Sequence, residues 1–191
     1  KERYSPRFVQ GVMQEFIPKA KRILEPFAGS GTTPIVLGQA GVECAYSEAN
    51  PAMAFIVQTK LQILSLSKER RRILSGNILT LNNGLIARAH KVKPDIGLRD
   101  SYLTTFCDSV FFDDEALENI LRLRTVTDEV YEQDRILGNC LTVAILASLI
   151  PASRLKRAGD LRFKTPKELL SGTPCILRTV VERLSAQASD I

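Results

Sequence analysis

The sequence predicts an α/β protein, with one βαβ unit near the N-terminus and a mainly α-helical segment after it. Three observations carry this expectation. Two short apolar runs, 22–27 and 42–47, flank the glycine-rich stretch Ala28-Gly29-Ser30-Gly31-Thr32-Thr33. A helix-like run, 34–40, lies between them and is closed by Gly41. Beyond residue 110, apolar residues recur at helical rather than strand spacing.

The elements follow in order. Ser5-Pro6 opens a first helix, because Ser5 can cap the free amides and Pro6 suits the first helical turn. Phe8, Val9, Val12, Met13, Phe16 and Ile17 give that helix one apolar face, which ends at Pro18. The run 22–27 reads as a strand that enters the glycine turn. The second strand, 42–47, leads into Glu48-Ala49-Asn50-Pro51, and a further helix runs through Ala54, Phe55, Val57 and Leu61. Residues 65–110 set no clear elements. They hold the basic cluster Lys68-Glu69-Arg70-Arg71-Arg72 and turn signals at Asn82-Asn83-Gly84 and Lys93-Pro94.

Asp113 can cap the next helix, with Phe112 placed to staple against Leu117; Leu117, Ile120, Leu123, Val126 and Val130 form its apolar face. The apolar run 136–152 is interrupted by Gly138, Asn139, Thr142, Ser148 and Pro151 and reads as a buried helix rather than a membrane span. A basic loop, 153–164, follows. Two Thr-Pro pairs, at 165–166 and 173–174, open two more helices, and Thr165 with Glu168 makes a capping box. The expected organisation is a βαβ part over 1–62, a connecting segment over 63–110 and a helical part over 111–191.

Composition bounds the class. In 191 residues, 45% are hydrophobic and 25% charged, which excludes a disordered or fibrous chain. The net charge of +5 is unevenly spread: residues 1–95 hold 14 basic and 7 acidic side chains, residues 96–191 hold 12 and 14. A basic first half suits a polyanionic partner. Cys44, Cys107, Cys140 and Cys175 are too scattered for a zinc knuckle or a redox pair, and His90 is the one histidine. No metal site is expected, and the thiols read as buried cysteines of a reducing, cytoplasmic protein.

A Gly-x-Gly turn between strand and helix lets a ligand approach the backbone, with unpaired helix amides facing it. Glu48, nineteen residues after Gly29 and at the end of the next strand, is placed to bond ribose hydroxyls. Geometry alone therefore points to a nucleoside-containing cofactor, against the plainer reading of a tight turn and a surface Glu. A dinucleotide fingerprint wants glycine where Pro34 stands, and a P-loop wants a Lys that this stretch lacks.

The string Pro26-Phe27-Ala28-Gly29-Ser30-Gly31-Thr32-Thr33 resembles motif I of class I S-adenosylmethionine-dependent methyltransferases, in particular DNA amino-methyltransferases acting on adenine N6 or cytosine N4. Glu25 stands where that family usually has Asp. Tyr4-Ser5-Pro6 is similar to the family's motif X, and Glu48-Ala49-Asn50-Pro51 to motif II. These matches cover residues 1–60. A looser match over 110–165 resembles a helical insertion of some bacterial and archaeal members.

The resemblance implies a Rossmann-like fold that binds S-adenosylmethionine through Tyr4, Pro6, Glu25, Pro26, Phe27, Gly29, Ser30, Gly31, Thr32, Thr33, Glu48 and Asn50. Within that set it gives Glu48 the ribose, residues 27–31 the adenosine and Tyr4 and Thr32 the methionine end. Glu25 holds the turn or receives the methionine ammonium. The implied kind is a restriction-modification enzyme that methylates DNA. The family's catalytic motif, a polar residue followed by Pro-Pro and an aromatic, has no counterpart here, because no two of the nine prolines are adjacent. Catalytic residues therefore go unnamed. In the subgroup with the insertion that motif follows it, so the resemblance implies a cofactor-binding portion whose catalytic motif lies in a C-terminal half or on a second chain.

Arg154, Lys156, Arg157, Arg162 and Lys164 are the candidate DNA contacts, with 68–72 a weaker one; the plain reading of each is a solvated face. Phe163 either stacks on a base or is buried. His90 reads as a surface residue and Ser30 as a small turn residue rather than a nucleophile. Two other functions stay open: a non-catalytic DNA-binding or scaffold subunit with this fold, and an RNA or small-molecule methyltransferase.

Overall fold

The computed structural model describes residues 4–107 and 110–191. The chain divides into two compact units, Lys1–Arg71 and Arg72–Ile191.

In the first unit, α1 (Pro6–Phe16) begins as its sequence dictates, with the Ser5 hydroxyl accepting from the Phe8 amide at 3.1 Å. Its apolar face is only partly used: Val9 is buried, whereas Phe8 and Phe16 are exposed. Then come β1 (Arg22–Glu25), α2 (Thr32–Gln39), β2 (Glu43–Tyr46) and α3 (Pro51–Leu64). β1 and β2 pair in parallel, Arg22 opposite Glu43 and Glu25 opposite Tyr46, so the turns after both strands leave the sheet at the same end. α2 packs on β2, α1 and α3, burying Pro34, Val36 and Leu37. The βαβ unit is therefore present as parallel strands joined by a helix.

The segment 65–110, for which the sequence sets no elements, folds as two helices. α4 (Lys68–Lys91) starts at the end of the first unit, and most of it belongs to the second; α5 (Ile96–Phe106) follows, capped by Asp95. The basic cluster 68–72 thus forms the first turn of α4, after Ser67, whose hydroxyl accepts from the Arg70 amide.

The rest of the second unit is α6 (Asp114–Gln133), α7 (Arg135–Ala152), the antiparallel pair β3 (Leu155–Ala158) and β4 (Asp160–Phe163), α8 (Pro166–Leu170) and α9 (Ile176–Asp190). α7 packs against both α6 and α9. α4 is tied to α9 by Ser75 and Asn82, which donate to the Ala188 carbonyl and the Ser185 hydroxyl, and to α6 by an Arg88–Glu129 ion pair. The core they enclose includes Ile78, Leu85, Leu123, Val126, Leu141, Ala144, Val180 and Leu184, all with no more than 1% exposure. α7 is one described helix long and apolar enough to cross a membrane, and it buries Cys140, Leu141, Ala144 and Ser148 within the unit. Gly138 permits its close approach to α6, because a Cβ there would lie 2.7 Å from the Tyr131 Cα.

The structure corrects three expectations. The basic stretch 153–164 is a β-hairpin, not a loop. Only Cys140 of the four cysteines is fully buried, and Cys107 and Cys175 are exposed. The second Thr-Pro pair does not open a helix: α9 starts at Ile176 with Cys175 at its N-cap position.

Candidate functional site

The turn between β1 and α2 is held by side chains that bond its backbone. At the end of β1, Glu25 accepts from the Phe27 amide at 3.0 Å. The Ser47 hydroxyl donates to the Pro26 carbonyl at 2.7 Å. Ala28 and Gly31 bond within this framework, to Ser47 and Ala28 carbonyls respectively. From α3, the Lys60 ammonium reaches the Ser30 carbonyl at 2.8 Å.

Glu48 joins the two strand-end turns. One carboxylate oxygen accepts from the Gly29 amide at 2.7 Å, the other from the Asn50 amide at 2.8 Å. A carboxylate offers about four acceptor positions, so two backbone amides leave capacity for further donors. Glu48 thus cross-links the two turns instead of projecting free into solvent. Asn50 acts locally, its side-chain oxygen accepting from the Ala52 and Met53 amides and so capping α3.

The two turn glycines do different things. Gly31, at φ 89°, is the N-cap of α2, and a Cβ there would meet Val57 at 3.0–3.2 Å. Gly29, at φ 53°, has nothing within 4 Å of where a Cβ would stand, so space opens above the turn. Gly31 supplies no side-chain cap to α2, and the Ser30, Thr32 and Thr33 amides have no bonding partner among the described residues. A left-handed glycine under open space, beside uncapped amides at a helix N-terminus, is an anion- or dipole-accepting cradle. Phe27 stands beside it with 84% of its surface exposed.

Of the residues expected at the site, the structure brings Glu25, Pro26, Phe27, Gly29, Ser30, Gly31, Thr32, Thr33, Glu48 and Asn50 to one end of the parallel pair. Tyr4 and Pro6 lie apart from that turn in sequence, at the start of α1, which packs on α2; the Tyr4 ring stacks on Phe8 with centroids 5.2 Å apart. Sequence reasoning passed over Lys60 and Ser47. Neither carries a local signal, since Lys60 is one polar residue on a helix thirty positions from the carbonyl it holds. Burial, with Glu25 nearby, raises the Cys44 thiol above its ordinary pKa.

The basic candidates divide. Lys156 and Arg162 both bond Glu168, Arg162 through two nitrogens at 2.9 Å. The Lys164 ammonium donates to the Ser153 carbonyl at 2.6 Å. The side chains of Arg154 and Arg157 have no bonded partner among the described residues. Phe163 is half exposed and stacks on Phe111, centroids 5.5 Å apart, rather than being buried. His90 is exposed.

The first unit is thus a parallel βαβ arrangement with a glycine cradle cross-linked by a carboxylate. No family profile, characterised protein or solved structure matches the chain.

Proposed function

We propose that this chain is the cofactor-binding portion of a DNA methyltransferase that moves a methyl group from S-adenosylmethionine to the exocyclic amino group of adenine or cytosine. The observation that carries this reading is the Glu48 bridge. One carboxylate ties the Gly29 amide to the Asn50 amide, and the space above Gly29 is open. The residues present fit the cofactor: the free amides suit its carboxylate or hydroxyl dipoles, Glu48 retains acceptor capacity for ribose hydroxyls, and exposed Phe27 offers an aromatic face to adenine. Bound there, S-adenosylmethionine supplies an electrophilic methyl group. The chain's own share is to hold and orient it, a positioning contribution that needs no metal or covalent intermediate. DNA and a C-terminal half or second chain carrying the Pro-Pro-aromatic motif complete the reading, with the cytoplasm as its compartment.

The test is calorimetric titration with S-adenosylmethionine. Wild type binds, and Glu48→Ala weakens binding by about 1.5–3 kcal/mol, the scale of a charge-assisted hydrogen bond. An unchanged dissociation constant in Glu48→Ala would mean the ribose is held elsewhere. No binding by the folded wild type would favour the second reading, a non-catalytic DNA-binding or scaffold subunit, which the absence of any Pro-Pro pair supports.

A further inference from the structure

The hairpin β3–β4 is mounted on both faces and projects beyond its mount. Its register sorts the side chains: Leu155 lies opposite Phe163 and Arg157 opposite Leu161 on one face, Lys156 opposite Arg162 on the other. Phe163 seats the first face by stacking on Phe111. Glu168, one turn into α8, seats the second by bonding Lys156 and Arg162 together, and it also completes the α8 capping box with Thr165. The Arg162 and Lys156 side chains hold the Glu168 carboxyl well below its ordinary pKa. What remains is the tip, Arg157, Ala158, Gly159, Asp160 and Leu161, all exposed, with Arg157 and Leu161 side by side.

Charge selects the partner. Residues 154–168 hold six basic side chains against Asp160 and Glu168, while the remainder of 96–191 holds 6 basic and 12 acidic ones. The ribbon is therefore a basic island in a strongly acidic half, complementary to a polyanion that the rest of this half repels. A two-stranded ribbon has the width of a DNA groove, and an exposed leucine beside an arginine suits a groove wall where phosphates flank apolar sugar and base edges.

We propose that the β3–β4 ribbon is the duplex-DNA-contacting element of this chain, with Arg154 and Arg157 on phosphates and Leu161 entering the groove. Lys156 and Arg162 are positioning residues, both engaged by the Glu168 carboxylate rather than free to contact phosphates. The proposal rests on the methyltransferase reading only for its choice of DNA over other polyanions. It narrows five equivalent basic candidates to two, and it gives Asp160 a definite sign: this carboxylate opposes binding.

Fluorescence anisotropy with a short labelled duplex over a salt series tests it on the full chain, with S-adenosylmethionine titrated in parallel. Wild type binds the duplex, and the double variant R154A/R157A loses roughly tenfold or more in affinity, with a salt slope shallower by about two. D160N binds severalfold more tightly, and L161S weakens binding without changing the salt slope. All four side chains are exposed or partly exposed, and unchanged circular dichroism shows that the variants fold. Equal affinity of R154A/R157A and wild type would overturn the proposal, as would no duplex binding, or preference for a single strand or an acidic polypeptide. Loss of S-adenosylmethionine binding with duplex binding intact would strike the methyltransferase reading and leave the ribbon assignment standing.

Discussion

The two units use apolar residues in opposite ways. In the helical unit, Ile78, Leu85, Leu123, Leu141 and Leu184 are inaccessible, and the core is shared among α4, α6, α7 and α9. In the βαβ unit the large apolar side chains Phe8, Phe16, Leu24 and Phe27 are more than half exposed, and the buried apolar set is small: Val9, Ala28, Pro34, Val36, Leu37 and Val57. A parallel sheet is ordinarily covered on both faces, and here Leu24 of β1 is 70% exposed. The first unit is organised around hydrogen bonds to a turn, the second around a dry interior.

If that contrast is right, the costliest change lies in the helical core. Leu141→Ala, at the centre of α7, should lower unfolding free energy by about 2–5 kcal/mol in urea titration. A loss below about 1 kcal/mol would mean that α7 is loosely packed and that the two units do not differ in this way.

The next largest effect belongs to the turn. Gly31→Ala must adopt a left-handed conformation and press Val57 at 3.0–3.2 Å, at a cost of about 1–3 kcal/mol. Unlike Leu141→Ala, it should also weaken S-adenosylmethionine binding, which separates a change at the turn from a change in the core.

Ionisation of Cys140 sharpens the comparison from the pH side. Burial, with Asp134 adding to it, pushes this thiol up to about 12 from an ordinary 9. Between those values the unfolded chain has released the proton and the native state has not, so stability falls as pH rises above about 9. The slope contributed is at most about 1.4 kcal/mol per pH unit, and Cys140→Ala should remove it. An alkylating reagent at mildly alkaline pH should modify exposed Cys107 and Cys175 and spare Cys140 until the chain unfolds. Modification of Cys140 in the folded chain would show that the core opens readily.

The smallest effect is expected on the outer surface of α1. Phe16→Ser, at 69% exposure, should change stability by less than about 0.5 kcal/mol. A larger loss would mean that Phe16 is covered in solution.

Features set by neighbours three or four residues apart were legible from the outset. Ser5 at α1, Asp113 at α6 and Thr165 with Glu168 at α8 cap as the sequence requires, because a side chain reaching an amide three positions on needs no tertiary context. The βαβ order, the glycine turn and the acid at the end of β2 were equally readable. The hairpin was not: Lys-Arg-Ala and Asp-Leu-Arg have little strand preference, and their pairing is held by Phe111 and Glu168 from other elements. α4 and α5 were obscured in a similar way, since Asn82-Asn83-Gly84 reads as a turn inside what became a 24-residue helix, and Lys93-Pro94 as another just before α5.

The sequence by itself determined where α1, α6 and α8 begin, where the backbone turns left-handed at Gly29 and Gly31, and which carboxylate stands at the strand end. Each is a local matter of sterics or of a short reach to an amide. Only the tertiary structure decided that Glu48 spans two turns, that Lys60 grips the Ser30 carbonyl, and that Arg154 and Arg157 stay free while Lys156 and Arg162 are held. Those pairings join residues whose separation in sequence carries no signal, and they exist because folding brings a charge within bonding distance of a partner that would otherwise face water.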